Sequence, residues 1–536
     1  MVTDVKKLLL CIISVCILIL GLSYLKFDEE IRTGENTSSY LYYQELKADE
    51  SSDDPLKYIS DDFTASEDFS SNLPLVVLEM DGELPEYKTF TETDEIVNEG
   101  VEPWIGGTIS LYQNENGDNS LSDLPVLNSQ IRIKKRGHTS MSFDKSQYAI
   151  KLVDENGEKN EQNVFGMDVD DEWILNGSMA DKSMIRNYIA YRTAAHIMEF
   201  APRSCFCEVF IKQNGEYVYQ GVYLMMDTVK QSPYRVDIKE SNVKNPYTSY
   251  LVRRDRFTKF DTMLETYGRI EGIDDEWIGL KYPGIKKQTE KNIDYIQRDF
   301  SKIEQILYSQ KDSVFKQYGK YIDTDTFLDY FLINEYFGNY DAGEHSTYMY
   351  KNEGGLLKSG PVWDFDQAMN NSVVGETDPD TLAMQEKAFF SELCKDTAFI
   401  DALKNRYAFL QKNYLNDQYM FAMIDETEAY LKSARVREWY RWAADYYDGS
   451  DDNPGNYHLD DYKYHGEVIS RFNDNYDQEI YNIKVYLSNH GKVIQSRLTD
   501  LYDETTVTSG FKGNIGVFLF ILGTLFFIPS ILINRK

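Results

Sequence analysis

The stretch 206-FCEVFIKQNGEYVYQGVYLMMD-227 sets two runs of aromatic and β-branched residues on either side of Asn214-Gly215. Asn-Gly tolerates the positive φ angles of a tight two-residue turn, so the stretch predicts an antiparallel hairpin. Working outward, 130-QIRIKKRG-137 and 147-QYAIKLV-153 alternate apolar and polar positions, as a second hairpin with one buried face would. The segments 74-PLVVLEM-80 and 108-TISLY-112 are strand-like, and 113-QNENGDNS-120 is a polar loop. Residues 172–200 begin as a strand and turn into an amphipathic helix, with Ser178 or Asp181 as its N-cap.

Downstream of about 288 the pattern becomes helical, as in 325-DTFLDYFLINEYFGNY-340. The loop 341-DAGEHS-346 and a strand pair within 347–366 follow. Helical patterning then dominates 381–505, apart from the polar loop 446–461, and no internal repeat is visible. The expected class is α+β, with a strand-rich half over 73–287 and a helix-rich half over 288–506. Residues 27–72 are acidic and Ser/Thr-rich and read as a solvated stalk.

The ends read as anchors, 1–26 and 512–536. Each holds an apolar run long enough to cross a bilayer, 8-LLLCIISVCILILGLSYL-25 and 515-IGVFLFILGTLFFIPSILI-533. Lys6, Lys7, Arg535 and Lys536 favour both termini in the cytoplasm, with the body outside the cell membrane. A cleaved signal peptide is the alternative for the first run.

The chain carries 88 acidic and 56 basic residues in 536, a net charge of -32, which argues against a nucleic-acid partner. Its 41 Tyr, 28 Phe and 6 Trp argue for a folded globule. The five cysteines form neither a disulfide framework nor a zinc pattern.

The clearest chemistry lies in 360-GPVWDFDQAMNN-371. In an extended segment Asp364 and Asp366 share a face while Phe365 turns to the core. Two hard oxygen ligands at that spacing suit Mg2+, which completes its shell with waters and phosphates. The competing reading is a solvated strand end. Asp341 opens a Gly-containing loop after an apolar helix, where a turn aspartate is the ordinary alternative. In 134-KKRGHTSMSFDKSQYAIKL-152, Gly137 and hydroxyl residues such as Ser140 join two strands. Such a turn would cover a phosphate chain, with Arg136 or Lys151 neutralising charge, or it is a plain basic hairpin.

Four separated stretches, RGHTS…KSQYAIKL, WILNGSMADKSMIRNYIA, NGEYVYQGVYLMMD and NYDAGEHSTYMYKNEGGLLKSGPVWDFDQAMNN, stand in an order that resembles the CotH family of spore-coat-type atypical protein kinases. The similarity covers roughly 74–500. It implies a divergent kinase-like fold of two lobes, here flanked by two transmembrane helices. It also implies transfer of the ATP γ-phosphoryl group, with Mg2+ or Mn2+, to Ser or Thr of protein substrates at a surface or coat. By the same resemblance Asp341 matches the catalytic aspartate and Asp364 the metal aspartate, supported by Asp366. Lys151 would pair with phosphate as the catalytic lysine, with Arg136, Gly137 and Ser140 beside it, and Met226 would border the adenine. Ser346 stands where an asparagine often holds a second metal. That departure keeps open a kinase-like binding or assembly module without catalysis. Metal-dependent phosphate-ester hydrolysis is a third reading.

Overall fold

The computed structural model describes residues 34–509 apart from 35–36, 86–87, 90–95, 98–101, 116, 138, 257–260, 275, 372–380, 448–461, 465–466 and 470–475. Gly34–Leu498 form one compact unit. Of the other, Met1–Thr33 with Thr499–Lys536, only 499–509 are described, as the end of a helix.

The strand-rich half curls into a closed barrel. Its strands are β1 (Leu75–Met80), β2 (Ile105–Tyr112), β3 (Leu127–Lys135), β4 (Tyr148–Val153), β5 (Glu172–Asn176), β6 (Ser204–Gln213) and β7 (Glu216–Asp227). They pair in the order β7-β5-β4-β3-β2-β1-β6, and β6 returns to β7. The β6–β7 pair is the hairpin read at Asn214-Gly215, whose φ angles of 52° and 88° put both residues in the left-handed region. Closure depends on the one parallel seam, β6 against β1, with Glu208 opposite Leu75 and Ile211 opposite Leu78. Alternation along each strand turns one set of side chains inward, from Val76 and Leu78 to Tyr223 and Met225. These fill the barrel as a single buried cluster, so its interior is core.

Helix α1 (Arg186–Ala195) lies between β5 and β6 in the chain. Beyond the barrel, a second antiparallel sheet takes β8 (Tyr250–Arg254), β9 (Thr262–Leu264), β10 (Ile278–Tyr282), β11 (Thr347–Lys351) and β12 (Leu357–Ser359) in the order β9-β10-β8-β11-β12. Helices α2 (Glu290–Leu307), α3 (Thr324–Phe337), α4 (Thr397–Asn413), α5 (Asp417–Tyr447) and α6 (Tyr476–Ser509) make up most of the remainder. Every residue of α3 from Thr326 to Phe337 is buried, which explains its apolar sequence.

The expected two-lobed kinase-like fold flanked by transmembrane helices is overturned. The strands close into a filled barrel rather than a lobe that covers a ligand. Among the described residues no helix is long and apolar enough to cross a membrane. The runs 8–25 and 515–533 lie outside the described residues. The acidic segment expected as a stalk is packed instead: Phe69 and Leu73 are buried, Thr64–Ala65 pairs with β7, and Asp49 accepts the Ser433 N–H at 3.0 Å. Apolar anchors within an acidic composition hold it down.

Candidate functional site

Two loops carry the carboxylates. The first follows α3, which ends at Gly338 in the left-handed conformation (φ 60°). Asn339 then donates to the Asn334 side chain and to the Trp363 carbonyl, both at 3.1 Å, tying this loop to the second one. Two residues later comes Asp341, whose carbonyl accepts the N–H groups of Glu344 and His345. Its carboxylate has no hydrogen bond or ion pair among the described residues. Burial raises the Asp341 carboxyl above its usual range, while His345, Arg256 and Lys387 pull it back.

The second loop holds the aspartate doublet. It is not the extended strand that alternation predicts: β12 stops at Ser359, and Asp364 sits at φ 64°. Tertiary contacts fix that turn. The Asp364 N–H donates to the Tyr191 hydroxyl at 3.1 Å and the Phe365 N–H to Asn187 Oδ1 at 2.7 Å. Arg186 Nε donates to the Ala368 carbonyl at 3.1 Å. Phe365 is fully buried, edge-on to Tyr191 and Phe337. The turn nonetheless leaves the Asp364 and Asp366 carboxyls close enough to act on each other.

Two carboxyls in contact must share a proton or a cation. Burial holds both above their usual range. Asp341 pushes Asp364 further, and Asp364 does the same to Asp366. Arg136 draws Asp364 back toward its charged form. Ser346, also left-handed at φ 49°, donates its hydroxyl to Asp364 Oδ2 at 3.3 Å. Among the described residues no group of three or more His, Cys, Asp or Glu side chains converges as a metal site. A Mg2+ site needs only one or two carboxylates with phosphate and water, and this doublet fits that donor set.

Asp181 lies just ahead of helix α1. Its carboxylate accepts the Arg186 N–H at 2.9 Å and pairs with the Arg186 guanidinium at 2.5 Å, all buried. The formal N-cap is Ile185, so Asp181 does the capping from outside the helix. Arg186 also pairs with Glu479 on α6 at 3.3 Å. Asp181, Arg186 and Asn187 therefore clamp the aspartate loop.

The structure brings Asp341, Asp364, Asp366, Ser346 and Arg136 together. Arg136 lies 6.0 Å over the Trp363 ring and donates to Gln147 Oε1 at 3.0 Å. Gly137 follows at φ 110°, and a Cβ there would overlap Ser140 Oγ, so this turn demands glycine. Lys151 stands apart on the outer face of β4, paired with Glu172 of β5 at 3.1 Å and set 5.1 Å from the Trp104 ring. Met226 is wholly buried in β7, opposite Ile174 and Ser204, and offers a ligand no surface.

Sequence reasoning missed three residues. Asp255, just past β8, carries a charge that acts on both Asp341 and Asp364, and it pairs with Arg253 at 3.3 Å. Only its place in the run 253-RRDR-256 hinted at it. His345 faces Asp341 with a buried Nδ1 that has no hydrogen-bond partner among the described residues. Lys145 is fully buried against Glu438 of α5 at 2.6 Å and fixes the return of the Gly137 turn to α5.

The family model described as CotH kinase protein matches residues 133–494, which span every one of these residues except Trp104. The chain belongs to the CotH kinase protein family. No curated protein matches it. In this CotH chain the family match takes in the last strands of the barrel, the second sheet and the helices, while β1, β2 and most of β3 precede it.

Proposed function

We propose that the chain is an ATP- and Mg2+-dependent protein kinase that transfers the γ-phosphoryl group to Ser or Thr hydroxyls of coat or surface proteins. The observation that carries this reading is the buried Asp364–Asp366 contact beside Asp341, whose carboxylate has no partner among the described residues. Phosphoryl transfer asks little covalent chemistry of a protein. It needs a metal on the phosphates, a cation nearby and a carboxylate that orients the attacking hydroxyl.

Mg2+, when bound, neutralises phosphate charge and draws electron density from the leaving oxygen. Asp364 and Asp366 would hold it, with Ser346 on Asp364. Asp341 would accept the proton of the acceptor hydroxyl, and its raised pKa makes it a better base than a free carboxylate. Arg136 supplies positive charge on the Trp363 side.

A second reading has one observation in its favour. Ser346 offers a weak hydroxyl ligand where kinases of the ordinary kind use an amide, which suits a binding module without turnover. The test is to incubate the full chain with γ-labelled ATP, Mg2+ or Mn2+ and a Ser-rich acceptor. The kinase reading predicts labelled acceptor, lost in Asp341→Asn and Asp364→Asn. Nucleotide binding without transfer favours the binding module, and released phosphate without labelled protein favours hydrolysis.

A further inference from the structure

We propose that Lys387 is a positioning residue for phosphoryl transfer, holding the Asp341 loop by a stem laid across Gly343 and an ammonium paired with Glu344. This role rests on the kinase reading above.

The loop that carries Asp341 is one tight turn. The Asp341 carbonyl accepts the N–H groups of Glu344 and His345 at 3.1 and 2.8 Å. The Gly343 N–H donates to Thr347 Oγ1 at 2.7 Å, which ties the turn to the start of β11. None of these bonds involves the Asp341 carboxylate.

Lys387 supplies a further hold. A Cβ built on Gly343 would come within 2.6 Å of Lys387 Cβ and 2.8 Å of its Cγ, so the lysine stem lies directly on the loop backbone. Only glycine leaves room for it, and the left-handed φ of 89° asks for glycine as well. The ammonium lies 2.9 Å from Glu344 Oε1 and 5.0 Å from the centre of the Tyr340 ring. Lys387 therefore touches the chain on both sides of Asp341. It is itself fixed, because it follows the one-turn helix Ala383–Glu386, whose Met384 N–H donates to Glu335 Oε2 of α3 at 2.8 Å. Helix α3 also leads into the Asp341 loop, so the loop and its clamp share one anchor.

Stability alone does not account for this arrangement. The Lys387 side chain is 10% exposed and that of Glu344 44%. Burying an ammonium costs free energy, and a partner so open to water returns little of it. What the pair does give is a rigid loop with a positive charge beside the base. The charged groups that act on the Asp341 carboxyl are His345, Arg256, Asp255 and Lys387, and Lys387 favours its ionised form. A base displaced by as little as about 1 Å slows transfer by up to roughly a hundredfold while nucleotide still binds.

Steady-state kinetics of the full chain with γ-labelled ATP, Mg2+ and a Ser-rich acceptor, beside Tm for each variant, test this. Lys387→Met is expected to lower kcat by about ten- to a hundredfold and to leave KM for ATP within about twofold. Its Tm should stay close to the parent's, since methionine fills the place of the stem and Glu344 faces water. Lys387→Arg should recover most of the lost kcat. Glu344→Gln, which frees the ammonium and spares the stem, should lower kcat by about two- to fivefold. If the parent transfers label and Lys387→Met keeps its kcat, the inference fails while the kinase reading stands. Should Lys387→Met not fold, an unchanged kcat in Glu344→Gln overturns it equally. A raised KM for ATP at unchanged kcat would make Lys387 a nucleotide ligand and overturn the positioning role. A loss of kcat that follows a lowered Tm and is not recovered by Lys387→Arg would make it a structural residue only. If the parent transfers no label, the inference and the kinase reading fall together.

Discussion

The Ser346 hydroxyl donates to Asp364 Oδ2 at 3.3 Å, and both residues hold left-handed backbone conformations. Asparagine tolerates that conformation better than serine and carries a stronger oxygen ligand. Ser346→Asn is therefore expected to tighten Mn2+ binding in the presence of ATP by about three- to tenfold, roughly the value of one added ligand bond. Ser346→Ala should weaken it by about as much. Electron paramagnetic titration of free Mn2+ reads both.

The Asp364–Asp366 contact makes stability depend on pH. Unfolded, each carboxyl titrates near about 4, whereas in the folded chain both are raised. Over the window between, the folded chain binds more protons than the unfolded one, so stability falls as pH rises. In EDTA the Tm should accordingly drop from pH 5 to pH 8, and Asp366→Asn should lessen the drop. Each unit of pKa difference is worth about 1.4 kcal/mol. Added Mg2+ should raise Tm more at pH 8 than at pH 5 in the parent and have little effect in Asp366→Asn. Scanning calorimetry with and without Mg2+ checks both.

Asn187 Oδ1 holds the Phe365 N–H at 2.7 Å within a buried clamp. Asn187→Ala leaves that donor unpaired and should cost about 1–3 kcal/mol. It should also loosen the left-handed turn at Asp364, so Mn2+ affinity is expected to fall although Asn187 touches no ligand. A variant that loses stability but keeps its Mn2+ affinity would mean the turn holds without the clamp.

Lys145 and Glu438 are paired with no solvent exposure on either side chain, and Glu438 also accepts the Val222 N–H at 2.7 Å. Lys145→Met strands the carboxylate and should cost about 3–5 kcal/mol in chemical denaturation. Lys145→Met with Glu438→Gln should recover part of that loss. A catalytic lysine would not be rescued by a change on its partner helix.

Local features of the fold were legible where a residue answers to its neighbours in sequence. Asn214-Gly215 marked its hairpin, alternation marked β3 and β4, and the apolar run of 325–337 marked α3. Closure of the barrel was not legible. It rests on Glu208–Ile211 lying parallel to Leu75–Leu78, and alternation along a strand does not name the neighbour across the seam. The aspartate doublet drew attention for its chemistry, yet its geometry was misread. Extended spacing placed both side chains on one face, whereas a left-handed Asp364, fixed by Tyr191 and Asn187, brings them together. Asp255 escaped notice because a charge at the end of a strand looks like ordinary surface. The acidic segment was read from composition, which gave little weight to Phe69 and Leu73.

The central claim is that the Asp364–Asp366 pair holds a divalent metal together with nucleotide. The most direct measurement is Mn2+ binding by electron paramagnetic titration of the full chain, with and without ATP, beside Asp364→Asn. The account predicts Mn2+ binding that ATP strengthens in the parent and that Asp364→Asn abolishes. Identical Mn2+ binding by parent and variant in the presence of ATP would contradict it.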